Sequence, residues 1–181
     1  MSDYAKIILK KGEGRTIKAG GAWVFDNEIN RVEGDFENGD IVVVHDHDGY
    51  FMGYGFINTN SKIRVRMMSR RKEHPVNDEL LETRIRNAWE YRKAVMFPEL
   101  YGYESILEVK NTAFDSEGTR TKRLKELSCR LVFGEADFLP GITIDKFSDV
   151  LVIESLALGT DRMKDKILDI CKKVQIGRAH V

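Results

Sequence analysis

The chain has 181 residues, 42% of them hydrophobic and 32% charged, with 29 lysines and arginines against 29 aspartates and glutamates. That length suits one large domain or two small ones, and the composition is that of a soluble globular protein. Zero formal net charge excludes a whole-molecule field drawing the chain to nucleic acid or membrane, so any electrostatic footprint is confined to segments.

Such segments exist. Lys6 to Lys18 is basic (Lys6, Lys10, Lys11, Arg15, Lys18) with Glu13 in opposition, and Asp26 to Asp48 is acidic around Arg31. Lys62 to Lys72 is basic again through Lys62, Arg64, Arg66, Arg70, Arg71 and Lys72. Two readings stay open: an ordinary solvated surface, or two basic strips folded onto one face that tracks phosphates. The start, MSDYAKIILKKGEGR, has no apolar stretch of signal-peptide length, and no run approaches membrane-spanning length. The expectation is a cytoplasmic protein with no membrane partner.

The first seventy residues read as strands and turns. Ile41-Val42-Val43-Val44-His45 is a β-branched run, and Asp48-Gly49 turns it into Tyr50-Phe51-Met52-Gly53-Tyr54-Gly55-Phe56. Gly53 and Gly55 between aromatics predict a bent strand closely approached by another backbone. Ile63, Val65 and Met67 alternate with Arg64, Arg66 and Met68, which predicts one buried face and one face of guanidinium groups. The result is a small curled β-module. Gly12-Glu13-Gly14-Arg15 and Ala19-Gly20-Gly21-Ala22 are no nucleotide loops, but backbone N–H groups beside lysines could hold RNA phosphate. Trp23 and Phe25 offer either a stacking surface or, as neighbours of Val24, core.

At Glu73-His74-Pro75 the pattern changes, and the domain boundary is placed there: 1–73, then an α+β segment over 74–175. Asn77 or Asp78 caps a helix whose stripe Leu81, Ile85, Ala88, Trp89, Val95 and Met96 faces inward. After an irregular, charged stretch from Tyr101 to Leu127 come strands at Arg130–Phe133 and Ile142–Ile144. A turn at Ser148-Asp149 leads to a further strand, Val150–Ile153. A closing amphipathic helix from about Thr160 to Val174 turns Met163, Ile167, Ile170, Cys171 and Val174 inward.

Several clusters carry candidate chemistry. His45-Asp46-His47-Asp48 has metal-ligand residue types but lacks a further ligand of fixed geometry, and reads as a polar strand end. Glu135, Asp137 and Asp145 could form an acid/base set or a magnesium site of a metal-dependent hydrolase, although no phosphate-cradling loop accompanies them. The loop that holds the first two, Glu135 to Gly141, is longer and more acidic than a strand connection needs, which marks it as facing something. Cys129 and Cys171 have no metal spacing and read as reduced core residues.

The last residues, Ile176-Gly177-Arg178-Ala179-His180-Val181, are also one in-frame translation of a common short-read sequencing adapter. Residues 176–181 are therefore read as an adapter-derived tail, with the natural chain continuing beyond it. Part of the closing helix's apolar face is then expected to lie uncovered.

Taken in order, LKKGEGRTIKAGGAWVFDNEI, GDIVVVHDHDGYFMGYGFIN, SKIRVRMMS and RLVFGEADFLPGITIDKFSDVLVIESLALGTDRMKD resemble the front end of a bacterial family. Its members are class I S-adenosylmethionine (SAM)-dependent methyltransferases that modify cytosine C5 in large-subunit rRNA. The resemblance covers residues 5 to 174, and Phe138 stands where the family commonly has glycine. It implies an α+β chain: an N-terminal PUA-like β pseudo-barrel, a truncated central α+β domain, and a C-terminal Rossmann-like methyltransferase domain absent from this chain. SAM is the implied cofactor of the whole protein, with none bound here, and large-subunit rRNA is the implied partner. No catalytic or metal-binding residue is assigned; Cys129 and Cys171 do not inherit the family's nucleophile. The expected RNA contacts are Lys10, Lys11, Arg15, Lys18, Arg64 and Arg66. Glu135, Asp137, Pro140 and Gly141 are expected on a substrate-side or interdomain loop. The alternative reading is a stand-alone PUA-type RNA-binding adaptor without catalysis.

Overall fold

The computed structural model describes residues 4–96 and 126–174 and the backbone of 178–179. All but the end of the expected irregular stretch, Tyr101 to Leu127, lies outside the described residues, as does most of the tail at 176–181.

Six strands separated by glycine and polar turns build the first sheet: β1 (Lys6–Leu9), β2 (Trp23–Phe25), β3 (Ile29–Glu33), β4 (Ile41–His45), β5 (Phe51–Ile57) and β6 (Ile63–Ser69). Their order is β2-β6-β5-β4-β1-β3. All neighbours are antiparallel except β1 and β4, which run parallel. A one-turn helix, α1 (Arg15–Lys18), joins β1 to β2 and buries Ile17. Gly53 and Gly55 let β5 press on β6. A Cβ on Gly53 would stand 2.2 Å from the Ser69 carbonyl oxygen, and one on Gly55 2.5 Å from that of Arg66. The close backbone approach expected from the sequence is present.

This sheet carries apolar residues on both faces. Ile7, Leu9, Val24, Val42, Val44, Val65 and Met67 fill one core, whereas Tyr54, Phe56 and Met68 belong to a second. The alternation along β6 holds, but its outer face is not uniformly solvated. Arg64 and Arg66 are half-buried, and Met68 is buried in the second core.

That second core is built by the rest of the chain. Helix α2 (Asp78–Met96) is capped by Asn77, whose Oδ1 accepts the Leu80 N–H at 2.9 Å. β7 (Ser128–Phe133), β8 (Ile142–Phe147) and β9 (Val150–Ser155) form an antiparallel meander. Ser148 takes the left-handed conformation (φ 56) in the tight turn expected between β8 and β9. Helices α3 (Leu158–Arg162) and α4 (Lys164–Lys173) follow, and the backbone of β10 (Arg178–Ala179) runs parallel to β9. Leu81, Ile85, Ala88 and Trp89 of α2 are buried with Leu131, Ile144, Leu151, Ile167 and Cys171. Val95 and Met96, expected on this stripe, are exposed.

The closing helix departs from expectation twice. It is broken at Met163, whose N–H bonds back to the Thr160 carbonyl at 3.1 Å. Its first half seats on the β-module: a Cβ on Gly159 would meet the Phe56 ring at 2.1 Å. Its second half sends Ile167, Ile170 and Cys171 into the second core, and one straight axis does not serve both contacts. Its apolar face is also covered, with Ile167, Leu168, Ile170 and Cys171 all buried. Apolar exposure lies elsewhere, at Phe133, Phe147 and Val152 on the strands of the second sheet. No described helix is long and apolar enough to cross a membrane.

Candidate nucleic-acid interface

The second basic strip lies on the β2–β6 edge. Trp23 pairs with Arg66 and Val24 with Val65 across the strands. The Met67 N–H donates to the Ala22 carbonyl at 2.7 Å, and Arg70 Nη2 donates to the Gly21 carbonyl at 2.7 Å. The segment that follows the first strip is thus held against the second, and Lys18 at the first strip's end lines one cleft with Arg70. Lys10, Lys11, Arg15 and Lys18 are exposed. Lys10 Nζ donates to the Asn27 carbonyl at 2.6 Å, Arg64 to the Thr59 carbonyl, and Lys18 Nζ to Asp46 Oδ2 at 2.8 Å.

The core reading of Trp23 and Phe25 does not hold. Val24 between them is fully buried, but Trp23 is 40% and Phe25 38% exposed. Strand alternation puts Val24 inside and both rings outside. They meet edge to face at 6.4 Å, and the Arg66 guanidinium lies 5.8 Å from the Trp23 ring centroid. The sheet edge therefore presents aromatic surface beside cations.

The Glu135–Gly141 loop faces this edge. Its first half is a 3-10 turn, Gly134–Asp137, followed by Phe138 in the left-handed conformation. Glu135 Oε1 accepts from Trp23 Nε1 at 2.8 Å and from Arg66 Nη1 at 3.1 Å. Asp137 takes a two-pronged bond from Arg92, Nη2 to Oδ2 at 2.7 Å, and accepts the Phe133 N–H at 2.6 Å. Pro140 is buried, and Gly141 has φ 76 with room for no Cβ, since one would stand 2.4 Å from the Ala157 methyl.

Asp145 pairs with Arg130 at 2.9 Å. The three carboxylates weighed for a hydrolase thus address three different arginines instead of converging. Among the described residues no group of three or more His, Cys, Asp or Glu could hold a metal ion. In the His45–Asp48 segment, Asp46 Oδ1 accepts the N–H groups of Asp48 and Tyr50 at 3.1 and 2.9 Å, as a turn residue does. The Lys18 bond holds the Asp46 carboxyl below its ordinary value. Burial raises both thiols; Cys171, fully buried, is pushed up to about 12, while Cys129 is only half-buried.

One feature escaped sequence reasoning. A cleft of about 630 Å³ opens between the β2–β6 edge, α2 and the Gly134–Gly141 segment. Arg70, Arg71, His74 and Arg84 line it, and Glu135, the one carboxylate on its wall among the described residues, is already engaged by Trp23 and Arg66. Arg84 donates to the Met68 and Phe138 carbonyls. Burial, then the charge of Arg70, lower its pKa to about 10. Arg70 and Arg71 belong to the second basic strip, but nothing local in α2 signals that Arg84 joins them.

In the β9–α3–α4–β10 unit, whose two strands run parallel, Gly159 is pressed on the Phe56 ring.

Residues 7–70 match the profile of a family described as a PUA-like domain. Over 162 residues the chain is 31% identical to Ribosomal RNA large subunit methyltransferase I of Pseudoalteromonas translucida (strain TAC 125), covering 90% of this chain and 35% of that protein. A protein of the same name from Shewanella frigidimarina (strain NCIMB 400) is 31% identical over 166 residues, again 35% of its length. The chain thus spans about a third of the length of the curated relatives it matches. A solved structure from Streptococcus mutans, provisionally named a SAM-dependent methyltransferase, superposes with a TM-score of 0.64 at 15% identity, covering 94% of this chain and 38% of that one. Another, likewise provisionally named a methyltransferase and complexed with SAH, gives 0.66 at 14% identity, covering 94% and 37%. At those identities the structural likeness is one of fold. This chain is thus similar to a PUA-like domain over residues 7–70 and, over most of its length, homologous to proteins named as rRNA large subunit methyltransferases.

Proposed function

We propose that this chain is the RNA-binding portion of a SAM-dependent methyltransferase that modifies cytosine C5 in large-subunit rRNA. The observation that carries the reading is the exposed Trp23–Phe25 pair beside Arg66, in a β-module homologous to that of rRNA methyltransferases. Exposed rings next to a guanidinium suit unpaired bases and their phosphates. Lys10, Lys11, Arg15, Lys18 and Arg64 extend the cationic surface, and Arg66 contributes once its bond to Glu135 is shared. The SAM site and the nucleophile that attacks the base lie outside this chain, which binds RNA and transfers no methyl group. In the whole protein a thiolate would add to the ring and so activate C5, SAM would supply the methyl group, and removal of the C5 proton by a base would expel the thiolate.

The test is a salt titration of RNA binding by the full chain. Affinity for single-stranded RNA should fall linearly on a log–log plot, with a slope of about 0.7 per neutralised phosphate. Joint Lys10→Gln, Lys11→Gln and Arg15→Gln substitution should flatten that slope. No binding at low salt, or a slope indifferent to these substitutions, would sink the reading.

A further inference from the structure

Phe138 combines three properties that do not ordinarily meet in one residue. It takes the left-handed conformation, φ 59 and ψ 24, which costs a residue with a Cβ relative to glycine. Its ring is 63% exposed, so burial offsets little of that cost. The loop around it is nevertheless fixed. Leu139 beside it is fully buried, the Phe138 N–H bonds to the Glu135 carbonyl at 3.1 Å, the Phe138 carbonyl accepts from Arg84, and Asp137 is clamped by Arg92. A solitary exposed phenylalanine needs no explanation. One held rigid in a strained backbone conformation does.

Its position supplies one. Phe138 lines the 630 Å³ cleft with Arg70, Arg71 and Arg84. The Arg84 guanidinium lies 6.0 Å from the ring centroid. Among the described residues none of those three arginines pairs with a carboxylate, so the cleft is lined by cations beside the exposed Phe138. Arg70 also lines a second cleft, of about 570 Å³, with Lys18 and the exposed Tyr50. Cations and open aromatic rings therefore follow one another from Tyr50 past Arg70 to Phe138.

We propose that Phe138 is a base-stacking platform: an unpaired base of single-stranded RNA lies on its ring while the adjoining phosphates meet Arg70 and Arg71. The proposal rests on the RNA-binding reading above and adds a subsite that the β-module alone does not contain. A rigid platform loses little entropy on binding, and stacking tolerates any base. Duplex RNA, whose bases are already stacked, gains nothing from it.

The test uses the full chain, a short fluorescein-labelled single-stranded RNA of mixed sequence, and the same RNA annealed to its complement. A further strand carries a fluorescent purine whose emission falls on stacking. Phe138→Gly should weaken single-strand binding about five-fold or more, abolish the quenching and leave duplex binding unchanged. Its melting midpoint should not fall, because glycine relieves the backbone strain. Phe138→Trp should retain both affinity and quenching. Wild-type binding with unchanged affinity and quenching in Phe138→Gly would overturn the platform and leave RNA binding standing. Failure of the wild type to bind either RNA would overturn both readings.

Discussion

The Trp23 indole donates to Glu135 at 2.8 Å across 112 residues of sequence, and the same carboxylate oxygen receives Arg66. This carboxylate joins the β-module to the loop between β7 and β8, and it neutralises a cation on the β2–β6 edge. Glu135→Gln keeps an oxygen acceptor for Trp23 but releases the charge of Arg66. Affinity for single-stranded RNA should rise, and the log–log salt slope should steepen by about 0.7, as measured by anisotropy titration.

Asp137 and Asp145 separate buried from exposed pairing. The Arg92–Asp137 side chains are only 14% and 10% exposed, against 50% and 26% for Arg130–Asp145. Asp137→Ala leaves a guanidinium without its partner and the Phe133 N–H without its acceptor, and should cost about 3 kcal/mol. Asp145→Ala should cost under about 1 kcal/mol. Urea midpoints of the two variants, compared at equal m-value, decide it.

Gly159 transmits the fit between the two halves. Its Cα faces the Phe56 ring so closely that a methyl group would have to displace that ring. Gly159→Ala should lower stability by about 2 kcal/mol. Phe56→Leu in the same chain should recover part of the loss, a non-additivity readable in a double-mutant cycle.

His45 sets a pH dependence. Burial, then the charges of Lys6 and Lys72, lower its pKa from the ordinary 6.5, and its buried Nδ1 has no hydrogen-bond partner among the described residues. The folded chain therefore binds a proton less readily than the unfolded one. Stability contributed by the neutral ring is complete above pH 6.5 and is lost as pH falls below that value towards the folded pKa. His45→Gln should flatten the stability–pH curve in that window and leave it unchanged above.

Elements governed by neighbours in sequence were legible in it. The β-branched run at 41–45, the turn at Ser148-Asp149, the Asn77 cap and the close approach at Gly53 and Gly55 follow from local sterics and periodicity. Features decided by distant partners were not. Trp23 and Phe25 are exposed because Val24 claims the inward position of a three-residue strand. Glu135 finds its partners on β2 and β6, and no local pattern announces that. Lys146 lies in the inward row between Cys129 and Leu151, its Nζ donating to the Leu127 and Ser148 carbonyls. A lysine in such a row reads as surface from sequence alone. The break at Met163 answers two separate packing surfaces, whereas the apolar spacing is that of one continuous helix.

The first sheet works as a party wall. Tyr54, Phe56 and Met68 belong to rooms on its far side, although the strands that carry them are the module's own. Trimming the gene to the recognised PUA-like segment would strip the plaster from that wall and leave three large apolar side chains facing water. Such a trimmed product should clump, and anyone seeking a minimal RNA-gripping piece should keep α2 and the β7–β9 meander attached.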